Sequence, residues 1–314
     1  MSLIRKPHEL NVQSKIKALI YGQSGTGKST MALSAPKPLL FDFDGGIHRV
    51  NIDHMNNAGT VQVSSYKDFL DVLNNEDLSA YETIVIDTGG KCLDYMAEYI
   101  IKNNPKMGKA NGTLTLQGYG ERKAEFTALC KRVSMMDKHI VFVAHRETRQ
   151  DGDDMRYVPL FGGSNYDSLV TELDIVGYIE TNGRKRIITF DPTSRNDGKN
   201  TCNLPAVIEI PIIADEQGNT KPNTFFNDYV IGAYNKRLEQ RAALSKDFNV
   251  LMTSIREQIE LITDAQAAND FIGRIDAFNH LGSSKLQAAM LLSTQTKKLG
   301  LTLNKTTKQY EPAA

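Results

Sequence analysis

Tryptophan is absent from the 314 residues, and cysteine occurs only three times, at Cys92, Cys130 and Cys202. Three widely spaced thiols exclude a disulfide framework and a four-cysteine zinc site, and they fit a reducing compartment. They read as small core residues. Neither sign of charge dominates, since 37 Lys and Arg balance 37 Asp and Glu. A chain without net charge can hold nucleic acid only through a local patch. Also missing is any apolar run near the roughly 18 residues of a membrane span. The opening MSLIRKPHELNVQSK lacks the apolar stretch of a secretory signal, so a cytoplasmic protein is expected. With 40% hydrophobic and 24% charged residues, the composition is that of a folded chain and not a disordered one. The length suits one large domain and a small one.

Residues 1–14 are polar and read as an arm. Strand-like apolar runs follow at 15–21 (KIKALIY), 39–43 (LLFDF), 61–64, 83–86 (TIVI) and 139–144 (HIVFVA). Helical spacing occupies the intervals, over 66–73, 92–101 and 121–136, with a short helix from Lys28 that ends before Pro36. Residues 103–118, rich in Asn, Gly and Lys, read as a mobile loop. Alternating strands and helices, with strands apolar throughout, predict a mainly parallel sheet covered on both faces. Residues 146–167 read as a polar loop or ribbon. Residues 176–180 and 186–190 flank Thr181-Asn182-Gly183 and read as a hairpin. From 236 the pattern is helical, with Asp264 and Ser283 as N-caps and a polar tail after about 303. The expected organisation is an arm (1–14), an α/β core (15–235) and a helical appendage (236–314).

One contiguous motif carries most of the chemistry. Gly22-Gln23-Ser24-Gly25-Thr26-Gly27-Lys28-Ser29, followed by Thr30, fits G-x-x-x-x-G-K-[ST] between a strand and a helix. Such a loop turns backbone N–H groups toward phosphates. Lys28 is expected to reach the β- and γ-phosphates of ATP, and Ser29 to coordinate Mg²⁺. Ile84-Val85-Ile86-Asp87 is a strand ending in a carboxylate, which suits the metal's shell. Thr88 reads as an N-cap. Hydrolysis also needs a carboxylate to orient water. Period-2 geometry puts Asp42 and Asp44 on one side, and Asp44 is preferred because it stands at the strand's exit. The alternative for it is a turn carboxylate before Gly45-Gly46. His145, after HIVFVA, is placed to sense the γ-phosphate, against the alternative of a buried or capping histidine.

Charge is locally uneven. Residues 102–132 carry seven Lys and Arg against two Glu, with Tyr119 available for stacking. Lys109, Tyr119, Arg122 and Lys123 are therefore candidates for single-stranded DNA, and Arg146, Arg149 and Arg156 join them by position only. The alternative is an ordinary solvated face. Arg184, Arg186, Arg195 and Lys199 are candidates to act in trans on a neighbour's nucleotide, against the alternative of a charged hairpin face.

The order of these elements resembles the RecA/RadA ATPase core. More narrowly, GQSGTGKST, LLFDFDGG, YETIVIDTGG and HIVFVAHRE resemble phage-borne Sak-type RecA-like single-strand annealing proteins, across about residues 15–235. The resemblance implies catalytic roles for Lys28, Asp44, Asp87 and His145. Asp44 stands where RecA has a Glu, and His145 where it has a Gln. The resemblance also implies DNA-binding loops at 103–120 and 146–167. It implies a ring or filament of identical subunits, acting in a bacterial host beside a single-strand binding protein. The first functional reading is thus an ATPase, probed by DNA stimulation, that promotes annealing or strand pairing. A regulatory or assembly ATPase acting on a protein is the second, favoured by the neutral charge. A small-molecule kinase is third and lacks an Arg-rich lid.

Overall fold

The computed structural model describes residues 14–55, 58–152, 154–183, 185–215, 217–304 and 306–313. The expected N-terminal arm lies outside these except for Ser14, and so does Arg184. The chain divides into two compact units, one reaching from Gln13 to Asn235 and one containing Lys236–Ala314.

The larger unit alternates strand and helix in chain order: β1 (Lys17–Gly22), α1 (Lys28–Ala32), β2 (Pro38–Asp42), β3 (Gly59–Gln62), α2 (Tyr66–Asn75), β4 (Thr83–Asp87), α3 (Gly89–Asn103), α4 (Leu116–Met135) and β5 (His139–Asp151). Then come β6 (Asp154–Pro159), α5 (Tyr166–Val170), β7 (Ile175–Asn182), β8 (Lys185–Thr189), β9 (Lys199–Asn200) and β10 (Val207–Ile210). The sheet runs β10-β8-β7-β1-β5-β4-β2-β3. From β7 to β3 every neighbour is parallel. β8 and β10 extend the sheet antiparallel at one edge, as the hairpin reading anticipated. The expected α/β architecture is the one observed.

Strand residues are buried on both faces because they alternate between two cores. Leu19 and Tyr21 of β1, Ile84 and Ile86 of β4, and Ile140 and Phe142 of β5 meet α2, α3 and α4 through Phe69, Leu93, Met96 and Phe126. Ala18, Ile20, Val85, Val141 and Val143 face the other way, onto Met31 and Ala32 of α1 and onto Phe225, Phe226 and Val230. The last three belong to a π-helical turn at Phe226–Gly232 and its N-cap, held to α1 by Phe226 N–H on Ser34 Oγ at 2.7 Å. All three cysteines are buried.

Residues 103–118 are not a mobile loop. A 3-10 turn at Pro105–Met107 and a bridge between Gly108 and Leu114 lead directly into α4. The helix starts at Leu116, five residues before the expected start, with Thr115 Oγ1 accepting from Gly118 N–H at 3.1 Å. Glycine at 118 reflects close packing and not a loop, since a Cβ there would lie 2.5 Å from the Met107 carbonyl oxygen. β5 also runs on past Ala144 and pairs with β6, so 146–159 is an antiparallel ribbon.

The smaller unit contains α6 (Ala233–Glu260, which begins in the larger unit), α7 (Ala265–Arg274), α8 (Ser284–Lys298), β11 (Leu301–Leu303) and β12 (Tyr310–Pro312). Its core is Met252, Ile255, Ile259, Phe271 and Leu292 with their neighbours. Asp264 caps α7 through Ala267 N–H at 2.8 Å. Ser283 makes no capping bond; the adjacent Ser284 Oγ accepts from Leu281 N–H at 2.9 Å. The polar tail is structured as well, with β12 paired to β11. Among the described residues no helix is long and apolar enough to cross a membrane.

Candidate functional site

Ligands of open parallel sheets collect at the carboxyl ends of the strands, and here those ends bring the sequence candidates together. Gly22 of β1 lies in register with His145 of β5, and Asp87 of β4 with Val143. A cleft of about 300 Å³ opens there, lined by Ser24, Lys28, Ser29, Asp44, Asp87 and His145. Residues 23–27 form the turn between β1 and α1. Gly25 and Gly27 hold φ near 81° and 86°, a region that disfavours side chains. Because α1 has only five residues, the anion cradle rests on the N–H groups of the turn more than on a helix dipole. Thr26 is buried and its hydroxyl donates to the Gln23 carbonyl at 2.9 Å. Thr30 contributes its carbonyl to Asn223 Nδ2 at 2.6 Å.

Lys28 is 6% exposed, and its ammonium donates to the Gln23 carbonyl at 2.8 Å. Burial lowers its pKa, against the pull of Asp87 and Asp44. Asp87 is 7% exposed. Burial pushes its acid up to about 6, partly opposed by a hydrogen bond from Ser29 and reinforced by Asp44. A buried carboxylate and a hydroxyl in contact form an oxygen pair that fits Mg²⁺ carrying its own waters and nucleotide oxygens. Asp44 faces the cleft and accepts from Gly46 N–H at 2.9 Å. Asp42 turns away from it: its carboxylate accepts from Gly46 N–H at 3.1 Å and Ile47 N–H at 3.3 Å, which shapes the turn. His145 Nδ1 is 3.3 Å from Ser24 Oγ. Burial and the nearby Lys28 lower its pKa, which favours the neutral ring. Thr88 caps α3 through Lys91 N–H at 3.5 Å. Arg49, which the sequence reading did not single out, also lines the cleft, carried by the 3-10 turn after Gly46.

A second cavity of about 330 Å³ shares His145 and Thr88 with the first and is walled by Lys91, Tyr119, Arg122 and Gly162. The DNA candidates divide around it. Lys109 and Lys123 are exposed. Arg122 is not the surface cation expected, being 6% exposed and donating to the Gly162 carbonyl at 2.9 Å, with its guanidinium 5.0 Å from the Tyr119 ring centre. The ribbon arginines are engaged within the chain. Arg146 lies 4.1 Å from the Tyr157 ring centre and donates to Tyr178 Oη at 2.9 Å. Arg149 pairs with Glu147, and Arg156 pairs with Asp197 at 2.7 Å.

The trans candidates are revised in two places. Lys199 donates to the Val170 and Thr171 carbonyls at 3.0 and 3.2 Å, closing the C-terminus of α5. Arg186 lies against its own P-loop, 3.5 Å from the Thr26 carbonyl. Arg195 is exposed and lies 5.2 Å from the Tyr157 ring centre.

The sequence matches a protein family described as an AAA domain (AAA_24) over residues 14–202. The chain belongs to this AAA domain family. The match takes in the P-loop, Asp44, Asp87 and His145 and ends inside the larger unit. No curated protein matches the chain. Among solved structures, the ATPase domain of a replicative helicase is similar with a TM-score of 0.39 and 11% identity, over 64% of this chain and 83% of that one. The AAA domain is a P-loop ATPase with a RecA-like arrangement of its sheet.

Proposed function

We propose that this ATPase couples nucleotide state to a grip on single-stranded DNA, and so promotes annealing or strand pairing in the manner of the Sak-type proteins it resembles. The observation that carries the reading is His145. It touches the P-loop through Ser24 and also walls the second cavity, whose other walls come from the α4 N-terminus and the turn after β6. These are the two segments where DNA loops are expected. Exposed Lys106, Lys109, Lys123 and Lys131 flank the same end of the chain's basic stretch. In turnover, Lys28 leaves the Gln23 carbonyl to engage phosphate, Asp44 orients water, and neutral His145 responds through its ring nitrogens. Mg²⁺ held by Ser29 and Asp87 supplies charge neutralisation on the phosphates. Subunits are proposed to assemble as a ring or filament.

The test is ATPase rate with and without single-stranded DNA at low and moderate salt. Stimulation that fades with salt is expected. DNA-independent turnover would remove the DNA reading and leave the ATPase. A partner-directed ATPase is the second reading. It is favoured by the fact that Arg122, Arg146, Arg149 and Arg156 are all engaged within the chain.

A further inference from the structure

The β7–β8 hairpin touches the P-loop at both of its framing glycines. A Cβ on Gly22 would stand 2.5 Å from the Ile179 carbonyl oxygen of β7, and one on Gly27 would stand 2.5 Å from Arg186 Nη1 of β8. The same guanidinium donates to the Thr26 carbonyl at 3.5 Å. Strand register fixes the placement, because Ile179 lies opposite Gly22, and Arg186 lies opposite Thr181, two residues further along β7. Among the described residues no carboxylate pairs with Arg186, whereas the adjacent Lys185 is neutralised by Glu209 at 2.8 Å. An uncompensated guanidinium therefore rests on the backbone that is built to receive an anion.

We infer that Arg186 is a cis-acting positioning residue of the ATPase site. Its guanidinium holds the Thr26–Gly27 peptide so that the neighbouring N–H groups stay turned into the cleft, and its charge adds to the cradle. The contact involves no reacting atom, so it strengthens nucleotide binding and leaves the chemical step nearly untouched. The inference rests on the ATPase site and is independent of the DNA reading.

Full-length Arg186→Ala, Arg186→Gln and Arg186→Lys are compared with the parent by Mg–ATP titration, steady-state turnover and thermal denaturation. Ala and Gln are expected to raise Kd and KM about tenfold, the loss of one charge-assisted contact. Turnover stays within about twofold, the thermal midpoint holds, and Lys recovers part of the affinity. Arg186→Ala is then mixed with Lys28→Ala. A residue acting in cis leaves the mixture no more active than the two variants measured apart. Turnover restored by mixing overturns the inference, as does an unchanged KM in Arg186→Ala. A lowered midpoint without rescue by Lys overturns it too, since that is the signature of a purely structural role. Full turnover by Lys28→Ala alone would overturn the ATPase assignment instead.

Discussion

Acid titration offers a quantitative check on the packing beneath the site. His139 opens β5, is 3% exposed, and accepts the Ile16 N–H on Nδ1 at 3.0 Å. A protonated ring could not accept that bond. Burial, helped by Lys15, lowers its pKa from 6.5 to about 4. A depressed histidine stabilises the fold above its unfolded value of 6.5 and loses that contribution as pH falls toward 4. The full difference corresponds to about 3 kcal/mol, of which about 2–3 kcal/mol is lost between pH 7 and 4.5. Asp87 works in the opposite direction. Its folded value near 6 lies above the usual 3.8, so its contribution is fully present below 3.8 and is lost as pH rises through 6. These two terms nearly cancel in the parent protein. His139→Gln keeps an acceptor for Ile16 and removes the titration. Denaturant unfolding at pH 7 and at pH 4.5 should therefore show the variant gaining about 2–3 kcal/mol relative to the parent on acidification. Parallel pH dependence in the two proteins would refute the reasoning.

Four further outcomes are expected. Lys28→Ala should abolish ATP turnover while keeping the unfolding midpoint, since the lost bond to Gln23 is worth about 1 kcal/mol net and a buried charge is removed with it; retained turnover counts against the P-loop role. Asp44→Asn should bind Mg–ATP as the parent does but hydrolyse it about 10²-fold or more slowly, and equal rates in a single-turnover assay would exclude Asp44. Lys109→Ala combined with Lys123→Ala should weaken DNA binding and flatten its salt dependence by about two phosphate contacts, which a titration at several salt concentrations reads directly. Arg122→Ala should act differently, lowering stability by about 1–3 kcal/mol through the orphaned Gly162 carbonyl and the lost packing on Tyr119, as measured by denaturant unfolding.

The P-loop and the strands around it were legible because they are contiguous. A single eight-residue motif specifies a backbone shape, and apolar runs identify buried parallel strands without any tertiary knowledge. The cleft carboxylates were legible as strand ends, and period-2 geometry narrowed the choice to Asp42 and Asp44. Only the turn hydrogen bonds to Gly46 and Ile47 separate the two. Glycine misled the reading of α4. Gly118 resembles a loop signal, but its missing side chain admits the Met107 carbonyl. The short β10 and the β11–β12 hairpin carry too few residues for a periodicity to register. The cations were least legible, because charge in a sequence carries no direction. Arg122 and Lys123 are neighbours on one helix, yet one is buried and the other exposed. Arg186 looked like an outer-face residue until the hairpin register set it on the P-loop.

β5 is one uninterrupted strand of 13 residues. Its first part is a wall of the nucleotide cleft, and its last part is one leg of the ribbon. From His145 to Asp151 the chain extends about 20 Å at roughly 3.3 Å per residue. The base of this arm is braced by Arg146 on Tyr157 and Tyr178 and by Arg156 on Asp197 at 2.7 Å. The ribbon is therefore a lever with its fulcrum beside Ser24. A tilt of about 5° at the fulcrum sweeps the tip by about 2 Å over that length. The displacement needs no rearrangement of the sheet, and its size is set by the length of the arm.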